Sequence, residues 1–345
     1  MRKDIIVVGA SAGGVEALQK LVGALPRKFP ASMFIVQHMA PQSPSVLALI
    51  LDRAGEVPVV EADDHMEIKP GRIYVAPPDH HLLIEPGGYL RTTRGPKENR
   101  FRPAVDPLFR SAARAYGPRV IGIVLTGGLD DGTAGLWAIK RRGGLAVVQD
   151  PEEALATSMP LNAMRYVKID YCLPLTEMAP LLVRLASEPA EEEGAYPMSD
   201  EMEIEVNIAR ETNAKEAGVM KLGEKSIFTC PECHGALLEM KEGDRYRFRC
   251  HTGHAFSISS LLAELTENIE HSLWNSIRSI EESTMLMRHL AEHLNGSEPQ
   301  EMIEMLQQKA QEAQRRADLV RRAAMSHDKL SEGKVEQETE KASSS

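Results

Sequence analysis

The sequence predicts an α/β fold, a doubly wound and mostly parallel sheet with helices on both faces, followed by a small cysteine-rich module and a C-terminal helical hairpin. In the first half of the 345-residue chain, short apolar runs alternate with segments of helical periodicity, which is typical of parallel strands joined by crossover helices. Three of the four cysteines then fall within residues 230–250, and a long segment of helical periodicity follows.

Five strands and four helices account for the first part of the chain. We predict strands at residues 5–8, 32–37, 72–76, 120–125 and 145–149, and helices at residues 15–25, 45–54, 107–116 and 134–142. Most of the strands are continuous apolar runs, as expected for strands covered on both faces. Ligands of such open sheets bind at the carboxyl ends of the strands, so polar residues there are the candidate functional residues.

Charge divides the chain into two parts. Residues 1–186 carry 22 basic and 19 acidic side chains, whereas the remainder carries 18 basic and 31 acidic ones. Between Ser187 and Glu205 there are eight acidic residues and no basic one, which favours an extended linker over one face of an exposed helix. We predict an α/β domain at 1–186, an acidic linker at 187–224, a cysteine-rich module at 225–257, a helical hairpin at 258–325 and a disordered tail at 326–345.

Composition excludes several functions. The formal net charge of −10 argues against a nucleic-acid-binding protein, which would present a basic face. The sequence contains no run of eighteen apolar residues, which is the length that would predict a membrane span. The first apolar run is too short for the core of a signal peptide. We therefore expect a cytoplasmic protein with reduced cysteines.

Three predicted strand ends carry polar residues. The first strand leads into Gly-Ala-Ser-Ala-Gly-Gly at 9–14, which places Ser11 in a Gly-x-Ser-x-Gly pattern typical of a nucleophile on a sharp strand-to-helix turn. His38 follows the second strand, and Asp131 lies in a glycine-flanked loop after the fourth. Each has a structural alternative: a tight turn capped by serine, a core histidine and a helix-capping aspartate. Together they have the composition of a hydrolytic triad.

Six blocks of sequence then carry a resemblance. They are Ile-Val-Val-Gly-Ala-Ser-Ala-Gly-Gly (6–14), Gln-His-Met (37–39), Tyr-Val-Ala-Pro-Pro-Asp-His-His (74–81), Asn-Arg-Phe-Arg-Pro-Ala-Val-Asp (99–106), Leu-Thr-Gly-Gly-Leu-Asp-Asp-Gly (125–132) and Gln-Asp…Ser-Met-Pro (149–160). In this order they resemble the catalytic domain of CheB-type chemotaxis methylesterases over about residues 3–185. The resemblance implies hydrolysis of glutamate γ-methyl esters on methylated chemoreceptors and, in many members, deamidation of receptor glutamines.

The resemblance also assigns roles to residues. It implies that Ser11 is the nucleophile, that His38 is the general base and that Asp131, not Asp130, orients the histidine. We expect backbone N–H groups at Ala12 and Gly13, together with the Gly127–Gly128 loop, to form the oxyanion site. We expect no catalytic cofactor.

Basic residues lie in one of the six blocks. Arg100 and Arg102 could contact an acidic receptor helix, and the alternative is an ordinary solvated loop. We name both as candidate substrate-binding residues.

The chain departs from the family pattern at several points. Ala12 stands where the family usually has threonine, and the loop containing Gly128 and Leu129 replaces the usual Gly-Met-Gly-Asn-Asp-Gly. Because the three triad positions are kept, we expect altered rather than lost activity. Family members typically begin with a receiver domain. Since Ser11 is only eleven residues from the first residue, we expect none here, and hence either a constitutive enzyme or control by the C-terminal region.

The cysteine-rich module has metal-ligand spacing. Cys230, Cys233, Cys250 and His254 form Cys-x2-Cys-x16-Cys-x3-His, which predicts a closed structural zinc site in a zinc-ribbon-like module. His251 is the alternative fourth ligand, and a redox pair or free buried thiols are the alternatives to zinc.

Two helices are predicted after the module. Their apolar stripe runs from Ile258 to Leu294, the first helix ends at Asn295 and Gly296, and a capping box at 297–300 begins the second. Such a hairpin packs on itself or binds a helical protein partner, and the stripe does not distinguish these.

The main functional alternative to an esterase is a non-catalytic chemosensory adaptor. Such an adaptor would bind receptor or partner through the esterase fold and the C-terminal region. A nucleotide-binding domain is a remote third hypothesis, since the spacing that cradles phosphates is absent.

Overall fold

The computed structural model describes residues 1–211, 213–293 and 299–327. The strands are β1 (Ile5–Ala10), β2 (Ser32–Gln37), β3 (Val59–Glu61), β4 (Ile73–Val75), β5 (His81–Glu85), β6 (Tyr89–Thr93), β7 (Val120–Val124), β8 (Leu145–Gln149), β9 (Tyr171–Leu173), β10 (Glu224–Thr229), β11 (Ala236–Glu242), β12 (Arg245–Cys250) and β13 (Ala255–Ser257). The helices are α1 (Gly14–Gly23), α2 (Leu47–Asp52), α3 (Val105–Tyr116), α4 (Thr133–Arg141), α5 (Ser158–Tyr166), α6 (Leu175–Leu185), α7 (Asp200–Ala209), α8 (Ala214–Ala217), α9 (Ile258–His293) and α10 (Gln300–Met325).

Seven parallel strands form the main sheet in the order β3-β4-β2-β1-β7-β8-β9. Every residue of β1, β2 and β7 is buried, because helices cover both faces of the sheet. One apolar layer contains residues of α1, α2 and α6, and the opposite layer contains residues of α3, α4 and α5. The predicted α/β architecture, with a mostly parallel sheet and helices on both faces, is confirmed.

The five predicted strands are present with ends within two residues of the prediction. The prediction omitted β3 and the antiparallel hairpin of β5 and β6. It also omitted α6 and α5, and only the first three residues of α5 belong to the block at 149–160. A three-residue strand such as β3 is too short for its periodicity to be recognised.

The segment 187–224 differs from the predicted extended acidic linker. It contains α7 and α8, and the hydroxyl of Ser199 caps α7 by accepting from the N–H of Met202. Glu205 on α7 is only 3% exposed. Arg114 of α3 pairs with Glu203 of α7, and arginines of α3 and β12 contact Glu205. These basic partners lie in other elements, so counting charges along the segment does not reveal them.

A four-stranded antiparallel sheet of β10, β11, β12 and β13 follows, and residues 224–257 are called the Cys/His module below. The module packs on the α/β domain through five buried charged residues, which we name the buried charge cluster. Its members are Glu98, Arg110, Glu205, Arg247 and Arg249. Their contacts include Arg249 to both glutamates at 2.9 Å, Arg247 to Glu205 at 3.1 Å, and Arg110 to both glutamates.

The helical region after residue 261 is a separate compact unit. Its two helices run antiparallel, since Arg321 near the end of α10 pairs with Glu281 and the ring of His327 contacts the carbonyl of Thr266. Ile277 is buried on the predicted stripe, whereas Ile269 is exposed. The predicted helix end at Asn295 and Gly296, the first two residues of the capping box predicted at 297–300, and the tail beyond residue 327 lie outside the described residues. α10 begins at Gln300, directly after Pro299. No helix in the described part of the chain is long and apolar enough to cross a membrane.

Candidate active site

The three residues of the predicted triad follow neighbouring strands. Ser11 comes directly after β1, His38 directly after β2, and Asp131 lies in the loop between β7 and α4. Because β2, β1 and β7 are adjacent and parallel, their carboxyl ends meet at one edge of the sheet. The fold thereby brings side chains 27 and 93 residues apart in sequence into contact.

The three side chains form a continuous series. The Nδ1 atom of His38 is 3.2 Å from the Oγ atom of Ser11, and its Nε2 atom is 2.7 Å from the Oδ2 atom of Asp131. A carboxylate accepts and does not donate, so Nε2 carries the proton and Nδ1 presents its lone pair to the hydroxyl of Ser11. This tautomer is the one that a general base requires.

Asp131 is fully enclosed by donors. Besides His38, its carboxylate accepts from the side-chain amide of Asn99 at 3.0 Å and from the N–H groups of Val105 at 2.7 Å and Gly132 at 3.0 Å. Burial alone would raise the pKa of Asp131, but the hydrogen bond and charge of His38, with the other donors, outweigh burial and hold this pKa well below its usual range. Asp131 therefore remains ionised.

Two further aspartates lie beside Asp131. Burial and the adjacent charge of Asp131 raise the pKa of Asp106 to about 7. Asp106 accepts from the N–H groups of Gly132 and Gly135 and so braces the loop. Asp130 faces away from His38 and accepts from the hydroxyl of Ser257 at 2.6 Å. Asp131, rather than Asp130, contacts the histidine.

The turn that carries Ser11 is tightly packed. Gly13 has a φ angle of +75°, and the N–H of Gly14 donates to the carbonyl of Ser11. A Cβ atom on Gly127 would lie 2.8 Å from the Cβ of Ser11 and 2.0 Å from the sulfur of Met159, whereas one on Gly128 would meet nothing within 4 Å. The N–H of Gly127 donates to the carbonyl of Ala156.

An open cleft of about 560 Å³ lies beside Ser11 and His38. Of the predicted substrate-binding residues, Ala12, Arg100 and Arg102 line it, and Gly13 and Gly128 do not. The guanidinium of Arg102 is bound to Asp79 at 2.6 Å, so much of its charge is neutralised. Lys97, which the prediction omitted, also lines the cleft.

Sequence reasoning missed the residues that support the triad. The ring of Phe101 stacks on that of His38 with centroids 3.8 Å apart, and the amide of Gln37 donates to the carbonyls of Ser11 and His38. Asn99 and Phe101 lie in the block 99–106, which was interpreted only through its arginines. The block marked the right segment, but nothing in a single sequence indicated which side chains turn inward.

The Cys/His module gathers four candidate metal ligands. One ligand atom each of Cys230, Cys233, Cys250 and His254 lies within 4.8 Å of all the others. The sulfurs of Cys233 and Cys250 are 3.6 Å apart, and the Nδ1 atom of His254 is 3.7 Å from the sulfur of Cys230. Zn–S bonds of about 2.3 Å in a tetrahedron place sulfurs about 3.8 Å apart, so this donor set fits a zinc ion. His254, rather than His251, joins the thiols in this group.

Comparisons with known proteins agree on one family. The family model described as CheB methylesterase matches residues 6–182. The crystal structure of the Thermotoga maritima CheB methylesterase catalytic domain is similar with a TM-score of 0.52 and 37% identity, covering 53% of this chain and 98% of that one.

The matched region covers nearly all of one named relative and about half of another. A provisionally named protein-glutamate methylesterase/protein-glutamine glutaminase of Leptospira interrogans is 41% identical over 185 residues, which are 54% of this chain and 96% of that protein. Protein-glutamate methylesterase/protein-glutamine glutaminase 2 of Methanosarcina mazei is 38% identical over 190 residues, 53% of this chain and 52% of that protein. The similarity to each relative thus covers only about half of this chain, and about half of the Methanosarcina protein.

Proposed function

Because the chain belongs to the CheB methylesterase family over residues 6–182, we propose that it hydrolyses the γ-methyl esters of glutamate side chains on methylated chemoreceptors and releases methanol. It is a carboxylic ester hydrolase by family, and its relatives are named for this reaction. The observation that carries the proposal is the hydrogen-bonded series of Ser11, His38 and Asp131 beside an open cleft.

The first half of the reaction forms an acyl-enzyme. The Oγ atom of Ser11 attacks the ester carbonyl while Nδ1 of His38 takes its proton. Asp131 stays ionised and stabilises the imidazolium that results. The tetrahedral intermediate then expels methoxide, which leaves as methanol with the proton from His38. The stacked ring of Phe101 keeps the imidazole in the orientation that both transfers need.

Charge on the carbonyl oxygen is stabilised at the Ser11 turn. We assign the oxyanion site to the N–H groups of Ala12 and Gly13, at the start of α1, where the helix dipole adds positive potential. The N–H of Gly127 already has a carbonyl acceptor, which argues against its use. Water then attacks the acyl-enzyme with His38 again as base, which leaves an unmethylated glutamate side chain on the receptor and regenerates Ser11.

The same residues can deamidate a glutamine. Attack of Ser11 on a side-chain amide leads to the same acyl-enzyme, with ammonia leaving after it takes the proton from His38. The name glutaminase carried by the relatives supports this second activity. The guanidinium of Arg100 at the cleft suits an acidic receptor segment. The ammonium of Lys97 is paired with Glu232 at 2.9 Å, so it contributes less to the charge of the cleft.

The test is methanol release from a methylated chemoreceptor fragment by the full-length protein. We expect Ser11→Ala to lower the rate by at least about 1,000-fold while the unfolding temperature stays within about 2 °C of wild type, because the change removes a single hydroxyl. Ser187→Ala, an exposed serine after α6, is the control and should keep full activity. Release that survives Ser11→Ala would refute the proposal.

We also propose that Cys230, Cys233, Cys250 and His254 hold one structural zinc ion. Four protein ligands leave no open coordination position, so the ion would fold the module and take no part in hydrolysis. Metal analysis of the purified chain should find one zinc per molecule, lost in Cys233→Ser and kept in Cys172→Ser. Cys172 is a free thiol outside the cluster. A zinc content that is unchanged by Cys233→Ser would contradict this assignment.

The adaptor hypothesis is not favoured. The family assignment supports an enzyme, and the departures at Ala12 and Gly128 leave the contacts of His38 with Ser11 and Asp131 intact.

A further inference from the structure

The Cys/His module reaches the triad through Asn99. The N–H of Asn99 donates to the carbonyl of Ala255 at 2.8 Å, and its side-chain oxygen accepts from the N–H of Ser257 at 3.0 Å and the hydroxyl of Ser260 at 3.1 Å. A backbone N–H only donates, so the oxygen of the Asn99 amide must face the module. The amide nitrogen therefore faces the other way.

That nitrogen meets the catalytic loop. It donates to Asp131 and to Asp106, each at 3.0 Å. All hydrogen-bonding positions of the Asn99 side chain are thus used: one toward the module, one toward Ser260 at the start of α9, and two toward the carboxylates. Asn99 is 3% exposed and has a φ angle of +49°, a left-handed conformation that asparagine tolerates better than most residues. These four hydrogen bonds and the left-handed backbone conformation fix the position of the Asn99 side chain.

Ser257 holds the same loop by a second route. Its hydroxyl donates to Asp130 at 2.6 Å, and Asp130 directly precedes Asp131. Arg245 of the module contacts the other oxygen of Asp130 at 3.3 Å. Ser257 of β13 therefore contacts two residues that adjoin Asp131. Its N–H donates to the side chain of Asn99, and its hydroxyl donates to Asp130.

Residues 98–101 connect the module with His38 as well. Glu98 belongs to the buried charge cluster and contacts Arg249 of β12 at 2.9 Å. Three residues later, Phe101 stacks on the ring of His38. His254, one of the four candidate metal ligands, directly precedes β13. The loop is consequently held by the module on one side and supports two members of the triad on the other.

We propose that Asn99 and Ser257 are positioning residues of the esterase, through which the Cys/His module holds the carboxylate of Asp131 against His38. The proposal rests on the proposed function for the roles of Ser11, His38 and Asp131. It adds that the C-terminal module is part of the apparatus that aligns the active site. Misplacement of a catalytic group by about 1 Å can cost about 100-fold in rate, so loosening either contact has a measurable effect.

The experiment uses the full-length protein with Asn99→Ala, Ser257→Ala and the control Ser226→Ala. Ser226 lies in the same module, and its hydroxyl bonds the carbonyl of Leu237. Two readouts are measured for each variant: labelling of Ser11 by a fluorophosphonate, in which Oγ displaces fluoride, and hydrolysis of the methylated receptor with kcat and KM separated. The folded fraction is measured by circular dichroism.

Positioning predicts a specific pattern. Asn99→Ala should lower kcat and the labelling rate about 100-fold and Ser257→Ala about tenfold, with KM within about twofold because the cleft residues are untouched. A merely structural role would reduce the folded fraction and leave kcat and the labelling rate per folded molecule unchanged.

Failure of the two proposals can be told apart. Labelling rates in Asn99→Ala and Ser257→Ala equal to that of Ser226→Ala would overturn the positioning role, whatever the receptor assay gives. Ser11-dependent labelling without methanol release would refute the proposed substrate and leave the positioning role to be decided by the labelling rates. Absence of Ser11-dependent labelling in the wild-type protein would overturn both.

Discussion

The interior of the main sheet and the surface on which the Cys/His module packs are both shielded from water, yet they are built from different side chains. The strands β1, β2 and β7 bury apolar residues on both faces. The module interface buries the five residues of the buried charge cluster, none more than 4% exposed by side chain. An apolar core gains from its own burial, whereas buried charges are tolerated only while every partner is present.

This difference predicts unequal tolerance to substitution, and the largest effect is expected in the buried charge cluster. Arg249→Met leaves Glu98 and Glu205 without one of their cations, which should cost about 3–5 kcal/mol of unfolding free energy. Urea unfolding followed by the fluorescence of Trp137, in a Trp274→Phe background, measures the compact unit of residues 1–261, which contains both the α/β domain and the Cys/His module.

Arg184→Met is the matched control for Arg249→Met. Arg184 lies on α6 in the same compact unit, with 57% of its side chain exposed and a Glu188 contact of 3.0 Å, so the cost should be far smaller than that of Arg249→Met. Equal costs for the two variants would show that the interface is open to water.

The same contrast explains what the sequence could and could not reveal. Runs such as 32–37 and 120–125 predict buried strands because apolar residues gain from burial wherever they lie in the chain. Ser11, His38 and Asp131 were then identified as polar residues that follow the carboxyl ends of predicted strands. In the structure His38 contacts both Ser11 and Asp131. Glu205 and Arg249 gave no such signal, since charged residues are mostly exposed and a buried one is recognisable only from its partners.

The resemblance to a family had a similar limit. It marked residues 99–106 as important, but the roles of Asn99 and Phe101 depend on β13 and on His38, which lie far away in sequence. The hydrogen bond between Asn99 and Ser257 joins residues 158 positions apart in the sequence. A periodicity or a local motif cannot report such a contact.

A second prediction concerns how the free energy of unfolding changes at low pH. Burial would raise the pKa of Glu205, but Arg110, Arg247 and Arg249 outweigh burial and lower this pKa below its usual value. A carboxylate with a lowered pKa contributes stability above its unfolded value, near 4.3, and loses it as the pH falls. Glu205→Gln should therefore be much less stable than wild type at pH 7, and the gap should close by up to about 1.4 kcal/mol per pH unit below about pH 4.

Urea midpoints at pH 7, 5, 4 and 3 test this closing gap. Glu216→Gln, an exposed glutamate of α8, serves as the control and should track wild type within about 0.5 kcal/mol at each pH. A Glu205→Gln deficit that stays constant from pH 7 to pH 3 would mean that the arginine partners do not lower the pKa of Glu205 in the folded protein.

The smallest loss of unfolding free energy is expected in the apolar interior of the main sheet. Ile123 on β7 is fully buried, and Ile123→Val removes one methylene from a packed core at a cost of about 0.5–1.5 kcal/mol. Ile227→Val makes the same chemical change at a residue of β10 that is 93% exposed, so its cost should be close to zero. Because neither change alters a charge, the cost of Ile123→Val should be the same at pH 7 and pH 4, unlike that of Glu205→Gln. A pH-dependent cost at Ile123 would show that the packing of the sheet depends on the ionisation of the buried charge cluster, and the two regions would then not be energetically independent.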